Sequence, residues 1–398
     1  MALIAVLLMC LAASLLLSGL GYSSVRKVLA RPVPEPTTLL PLSVLRPLKG
    51  LEVGLYENLV SLAVQDYPDF ELVLGIADPD DPAVEVARQL KRDYPGVRVR
   101  LATGAPVVGL NPKVNNLLHM AARARHDLIL VSDSNVRVGP TYLRQLAAEL
   151  SDPSVGLVHS ALVGQGDGSV GSVLENLQMN TVTAYGACGM LALSGRPLVI
   201  GKSMLFRKSE LDQIGGLLGV ANVLAEDYVI GRRFHAAGFA VRLSPHRIEV
   251  ISAGWALDRF LNRQLRWSQM RFHLAPLAYL FEPLICSFFW AGVLATVASV
   301  EALPSGWRDG LLAVCAVVVS IRVALDSAQT LRLRGRRLSA GEVALLPVKD
   351  LLMLSLWVAG FLKRTINWRG TVAYVGAGSV LSAAPQRTAR QRAAPHAG

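Results

Sequence analysis

Charge is scarce in this chain. Asp, Glu, Lys and Arg make up 17% of its 398 residues while 52% are apolar, which excludes an ordinary soluble enzyme and, at this length, one compact domain. What charge there is leans basic, with 40 Lys and Arg against 29 Asp and Glu. That excess invites a nucleic-acid reading, but the cations sit beside apolar runs, as in Leu331-Arg-Leu-Arg-Gly-Arg-Arg337 and from Arg263 to Arg271, without a recognisable nucleic-acid motif. Anionic lipid accounts for them more simply, and no nucleic-acid partner is expected. Cysteine is sparse too. Cys10, Cys188, Cys286 and Cys315 lack CxxC spacing and lie mostly in apolar runs, so neither zinc nor disulfides are expected. No internal repeat is visible.

Cations are also missing ahead of the first apolar run. Residues 2–21 carry no charge, and as a helix they cover about 30 Å, the thickness of a bilayer core. A cleaved signal peptide would place basic residues first, whereas Arg26, Lys27 and Arg31 follow. The reading is a retained anchor over 1–22 with its N-terminus outside, a Pro-rich linker over 23–40 and a cytoplasmic catalytic domain over 41–255. In that domain, strand-like stretches at 42–47, 71–77, 97–102 and 128–132 alternate with helical ones. Such alternation predicts an α/β fold with a mostly parallel sheet and crossover helices.

A basic, interfacial helix is expected over 256–280, and membrane helices over 281–370. Residues 283–300 and 311–328 read as two spans. The loop between them carries two acids and one arginine, the loop after them four arginines, which puts the first outside and the second inside. Residues 351–362 give only about 18 Å of uninterrupted apolar helix, so a re-entrant or interfacial helix is expected. Arg322 and Asp326, four apart, share a helix face and pair, letting Arg322 snorkel, or else contact substrate. Residues 371–398 read as a tail, partly disordered.

Against this background stand a few ordered polar motifs. Asp133 closes the buried run Asp127-Leu-Ile-Leu-Val-Ser-Asp133, and a carboxylate at a strand's C-terminal end sits where open α/β sheets bind ligands. Asp78 and Asp81, in Ala77-Asp-Pro-Asp-Asp-Pro82, follow another strand and suit nucleotide hydroxyls or a uracil N–H, or else form a proline-fixed turn. Lys113 and Asn116 lie at a helix start after Pro112, where backbone N–H groups and an ammonium can face a diphosphate. Asp133-Ser-Asn135 has one acid in place of two, so Asp133 with a diphosphate could hold Mg²⁺ or Mn²⁺ with modest affinity. Asp227 is the candidate base for an attacking hydroxyl, or a plain helix N-terminal acid. Arg263 and Arg266 share a helix face able to clamp a pyrophosphate, with Trp267 beside them, or the helix simply lies on lipid. Together these residues point to transfer of a sugar from a nucleotide at a membrane.

The chain resembles the ceramide glucosyltransferases through Leu45-Arg-Pro-Leu-Lys-Gly50, Asp80-Asp81-Pro, Gly109-Leu-Asn-Pro-Lys-Val-Asn-Asn-Leu117, Gly156-Leu-Val-His159, Ala225-Glu-Asp-Tyr228 and Arg263-x-x-Arg-Trp267. The likeness runs from about residue 43 to residue 370. It implies a membrane-anchored, inverting GT-A transferase using UDP-glucose as donor and ceramide's primary hydroxyl as acceptor. Asp81 would be the family's first aspartate on the nucleotide sugar and Asp133 the second, beside metal and diphosphate. Asp227 would be the base, and Arg263, Arg266 and Trp267 the (Q/R)xxRW motif. A related group transfers N-acetylglucosamine to hopanoid lipids, although Lys202-Ser-Met and Glu226-Asp-Tyr resemble the ceramide branch more closely. The Ala- and Arg-rich composition points to a bacterial inner membrane, with a Golgi or ER membrane as the alternative.

Overall fold

The computed structural model describes residues 1–36, 38–195, 198–301, 303–368 and 370–383. Their strands are β1 (Leu42–Leu48), β2 (Phe70–Ile76), β3 (Arg98–Thr103), β4 (Leu128–Ser132), β5 (Val136–Arg137), β6 (Val155–Gln165), β7 (Ser203–Arg207), β8 (Ala240–Ile251), β9 (Thr365–Trp368), β10 (Thr371–Val375) and β11 (Leu381–Ala383). The first eight form one sheet in the order β3-β2-β1-β4-β7-β6-β8-β5. The β3-β2-β1-β4 half is parallel, with Val44 opposite both Leu72 and Leu130. β7 runs antiparallel to β4 and β6, short β5 runs antiparallel to β8, and β6 and β8 pair in parallel. The sheet is mostly parallel, as its apolar strands predict.

Helices cover both faces. Leu55–Ala63, Ala83–Asp93 and Tyr142–Leu150 bury one apolar layer, including Leu59, Leu90 and Leu146, under one face. Pro112–Ala121 and Glu226–Ala236 bury Leu117, Met120, Ile230 and Phe234 against the other. The chain leaves β1 for β2 and β3 on one side and returns to β4 on the other. Ligands of open α/β sheets bind at such a switch point.

The first helix, Ala2–Leu29, runs past residue 22 and on through Arg26 and Lys27. Its inner stripe, Ile4, Leu7 and Leu11, packs on Leu294, Ala298 and Leu311 of two later helices. Ser14, Ser18 and Gly21 continue the stripe as small residues that let helices approach closely. A Cβ at Gly21 would sit 2.6 Å from the Tyr185 Cβ.

Three departures from expectation have local causes. Residues 283–300 do not form a continuous 18-residue helix: Pro283 lies in the 3₁₀ turn Glu282–Ile285, and the helix proper is the 14-residue Ser287–Val300. That helix, about 21 Å long, is too short to cross a bilayer core. Its neighbour Ser305–Arg334 runs for 30 residues, well beyond 311–328. The Arg322–Asp326 pair forms at 2.9 Å, but Arg322 is 1% exposed and turns inward to the Ile285 carbonyl and Ser287, so it does not snorkel. Residues 371–383, read as part of a tail, instead pair as β10 and β11 beside β9; the remainder of that tail lies outside the described residues.

Among the described residues, Ala2–Leu29, Ser305–Arg334 and Ala340–Leu362 are long and apolar enough to cross a membrane. Ala340–Leu362 extends the apolar stretch 351–362 backwards through Pro347, starting from a Ser339–Glu342 capping box. Both of its ends are tied to other elements, the first to β6 through Arg334 and the last to Leu257–Leu274. At the start, Glu342 pairs with Arg334, which also bonds Gln165 at the end of β6. At the finish, Gln269 donates to the carbonyls of Lys363 and Thr365. A helix lying along the interface beside Leu257–Leu274, as expected from the short apolar stretch 351–362, has a testable consequence. Cysteines introduced as Arg337→Cys and Lys363→Cys, in a chain without its native cysteines, should therefore react with an impermeant maleimide from the same membrane face. Labelling from opposite faces would show that the helix crosses.

Candidate active site

Asp133 directly follows β4, next to the C-terminal end of β1. The turn that presents it is fixed from β1. Arg46, wholly buried, donates to the carbonyls of Ser134 and Val136, and burial pushes its pKa down to about 10.

Two ammonium groups grip the Asp133 carboxylate. Lys113 Nζ lies 3.0 Å from Oδ1 and Lys202 Nζ 2.8 Å from Oδ2. Lys113 also reaches Glu226 Oε1 at 3.0 Å and the Gly201 carbonyl at 3.0 Å. Burial would raise the Asp133 pKa, but the two lysines overcome it and hold the carboxyl well below the usual range. For Lys113, burial is likewise outweighed by Asp133, Glu226 and Asp227, which push its pKa up. Lys202 goes the other way, because burial is joined by the nearby Arg263 and Lys113 and Asp133 alone opposes them. Burial also raises the Glu226 pKa, with Lys113 opposing and Asp227 adding to it.

Lys113 owes its place to a capped helix start. Asn111 Oδ1 accepts from the backbone N–H groups of Lys113 and Val114, and Pro112 occupies the first turn. Asn116 donates to the Gly75 carbonyl, while its buried Oδ1 has no hydrogen-bond partner among the described residues. Asp227 starts Glu226–Ala236 and accepts from Tyr228 N and, closely, from Gly201 N. A Cβ at Gly201 would lie 2.8 Å from Asp227 Oδ2, so only glycine permits this approach. Asp81 accepts from Gly50 N and Ala83 N at 2.9 Å, tying its turn to the loop after β1; Asp78, exposed, caps the same turn through Asp80 N.

Arg263 and Arg266 project from Leu257–Leu274. Arg263 Nε lies 2.9 Å from Glu175, its guanidinium stacks 4.5 Å from the Trp267 ring, and its buried Nη2 has no hydrogen-bond partner among the described residues. Arg266 stacks over Trp368 of β9.

One cavity of about 810 Å³ collects these groups. Asp78, Asp81, Lys113, Asn116, Asp133, Asp227, Arg263, Arg266 and Trp267 all line it. The same cavity continues between helices of the apolar region, where Leu17, Leu20, Met190, Met353, Leu354 and Trp357 line it. Lys202, Glu226 and Arg46 were not singled out as site residues, and neither was Ser379. Ser379 accepts from Leu224 N through its carbonyl and from Ala225 N through its hydroxyl, so the three-stranded sheet β11-β10-β9 braces the turn before Asp227.

A divalent cation can be tested against this wall. Among the described residues, no cluster of three or more acidic, His or Cys side chains could hold a metal. The Asn135 amide oxygen is taken by Lys202 at 2.8 Å. Both Asp133 oxygens are engaged by Lys113 and Lys202, so a cation held there would have to take one of them from an ammonium group, with a diphosphate supplying further oxygens.

Two outcomes follow from this geometry. Because the folded Asp133 pKa is depressed, its stabilisation is complete above the unfolded value of about 4 and is lost progressively as pH falls below it. The Tm of Asp133→Asn should thus fall less steeply than wild type between about pH 5 and about pH 3, measured by scanning calorimetry. Gly201→Ala should displace Asp227 and cost at least about tenfold in kcat with the fold retained; an unchanged kcat would show that the contact is dispensable.

Known proteins resemble this chain along most of its length. The model of Glycosyl transferase family 21 matches residues 6–381. A Caenorhabditis elegans protein named ceramide glucosyltransferase 3 is 31% identical over 271 residues, 67% of this chain and 58% of its own length. The ceramide glucosyltransferase of Pyricularia oryzae is 24% identical over 89% of each chain. The chain thus spans little more than half of the first of these relatives. A mannosyltransferase of Pyrobaculum calidifontis, solved with GDP-Man and Mn²⁺, superposes with a TM-score of 0.57 at 16% identity, covering 90% of this chain and 99% of that one. That likeness bears on the fold, which is GT-A with added membrane helices. Matched along almost its whole described length, the chain belongs to glycosyl transferase family 21.

Proposed function

We propose that this chain transfers glucose from UDP-glucose to the primary hydroxyl of ceramide, with inversion, at the cytoplasmic face of a membrane. The observation that carries the reading is the cavity, which joins the cations and acids at the sheet's switch point to a passage walled by apolar helices. A water-soluble donor and a lipid acceptor can meet there without either leaving its own phase. The two curated relatives bear the name ceramide glucosyltransferase, which supports the choice of lipid and sugar.

In this reading Asp81, Asp78 and Asn116 hold the nucleoside side of the donor. Lys113, Lys202 and the free Nη2 of Arg263 face the diphosphate, stabilising the charge that grows on it as the glycosidic bond breaks. Asp133 would hold Mg²⁺ or Mn²⁺, which would supply further charge neutralisation on the leaving group. Asp227, its carboxylate oriented by two backbone N–H groups, takes the proton of the attacking hydroxyl. Arg266 and Trp267 close the cavity beside the acceptor path. The arginine-rich segment 332–337, bonded to Arg247 of β8 through the carbonyls of Arg332 and Leu333, supports cytoplasmic placement. The membrane proposed is a bacterial inner membrane.

UDP release, measured with several nucleotide sugars with and without ceramide, tests this. Turnover should require both UDP-glucose and ceramide. Transfer of N-acetylglucosamine to a hopanoid, or polymer formed without lipid, would replace the reading. Asp227→Asn should lower kcat by about 10²- to 10⁴-fold, about 3 to 5 kcal/mol of barrier, with little change in the donor's KM.

A further inference from the structure

The apolar end of the cavity is not uniformly apolar. Lys349 and Asp350, 0% and 2% exposed, line it from Ala340–Leu362, and Gln178, 5% exposed, lines it from the end of Val170–Gln178. Nearby Arg322 is fully engaged by Asp326, Ser287 and the Ile285 carbonyl. The other three are not. Lys349 Nζ stands 3.1 Å from Asp350 Oδ1 without hydrogen-bond alignment. Among the described residues, Lys349 Nζ, Asp350 Oδ2 and Gln178 Oε1 lack hydrogen-bond partners. Directly after Gln178 the helix widens into the π turn Met179–Thr183, whose residue Thr183 also lines the cavity. Such turns recur at functional sites.

Buried polar atoms left without partners are costly, and a cavity that keeps several of them suits a ligand that completes their bonds. We infer that Lys349, Asp350 and Gln178 form a hydrogen-bonding site for the polar backbone of the acceptor lipid, selecting one with an amide and a secondary hydroxyl. The chemistry matches group by group. Two unpaired acceptors, Asp350 Oδ2 and Gln178 Oε1, need donors, which an amide N–H and a hydroxyl supply. Lys349 Nζ, ion-paired with Asp350 Oδ1 but making no aligned hydrogen bond among the described residues, can donate to an acceptor, which the amide carbonyl supplies. A diacylglycerol offers ester carbonyls for Lys349 but no donor beyond its reacting hydroxyl, leaving both acceptors unsatisfied. A site built to bond a polar group discriminates strongly against an analogue that lacks it. The inference rests on the lipid-acceptor reading and adds what the lipid must carry.

Trp267 and Trp357 line the cavity, so lipid binding can be followed by tryptophan fluorescence in the intact detergent-solubilised protein, without any turnover. Short-chain ceramide, the same ceramide without its secondary hydroxyl and a diacylglycerol of matching length are the probes. Wild type should bind ceramide at least about tenfold tighter than the diacylglycerol, with the deoxy analogue between. Gln178→Leu and the double variant Lys349→Met, Asp350→Leu should bring that ratio towards one while leaving UDP affinity unchanged. The double variant removes both charges together, so it leaves no unpaired ion to unfold the helix. A folded variant that keeps the full ceramide preference overturns the inference, as does a wild type with no preference. Failure of wild type to glucosylate ceramide would instead overturn the proposed function, because the binding ratio is read independently of transfer.

Discussion

A single buried ammonium group organises the active site. Lys113 draws together Asp133 from the end of β4, Glu226 from the start of a helix more than ninety residues later, and the Gly201 carbonyl next to β7. Each of these segments positions a further functional group: Asp133 bonds Lys202, Glu226 adjoins Asp227, and Gly201 N–H orients Asp227. In a partly dry wall such charge-assisted contacts are strong, and leaving any one member unpaired is expensive. The acids and cations are thus preorganised before a donor arrives, which is what stabilisation of a developing diphosphate charge requires.

What was legible in the sequence was what local pattern determines. Asp133 ends a run of fully buried strand residues, and Asn111-Pro-Lys113 carries a cap and a first-turn proline, so the ends of both elements could be placed before any contact was known. The parallel half of the sheet followed from strand and helix alternation. The roles of Lys202, Arg46 and Ser379 were hidden for the opposite reason. Lys202 and Arg46 stand inside strings that carry the family likeness, but each of the three acts on a residue far away in the chain, and its immediate neighbours do not reveal that partner. Apolarity likewise showed that 283–300 belongs among membrane helices but could not show where Pro283 would break the helix. The strand at Thr371–Val375 was masked by the Ala- and Arg-rich residues that follow it.

The C-terminal sheet changes how the catalytic turn is held. Val223 bridges to Val380, Leu381 N donates to the Asn222 carbonyl, and Leu224 packs with Ile366, Ala373 and Val375. Residues 365–383 follow directly on Ala340–Leu362, so the turn before Asp227 is braced by a segment continuous with a membrane-associated helix. Trp368 in the same sheet stacks with Arg266. Asp227 and Arg266 therefore take their positions partly from the segment that follows the apolar helix Ala340–Leu362, so that segment and the sheet domain together complete the site.

That coupling explains why so much polarity is tolerated among apolar helices. Arg322 and Asp326 are buried at 1% and 0% exposure, yet besides pairing with each other they tie other segments: Arg322 reaches the Ile285 carbonyl and Ser287, and Asp326 accepts from Tyr185. An apolar interface between helices gains little from the hydrophobic effect when lipid is the alternative neighbour, so hydrogen bonds and close packing have to specify the arrangement. Ser14 against Ser287, and Gly21 against Tyr185, do the same for the first helix. A cavity that runs from polar groups at the sheet into apolar helices needs walls that hold their spacing without a continuous core, and these polar contacts fix the spacing.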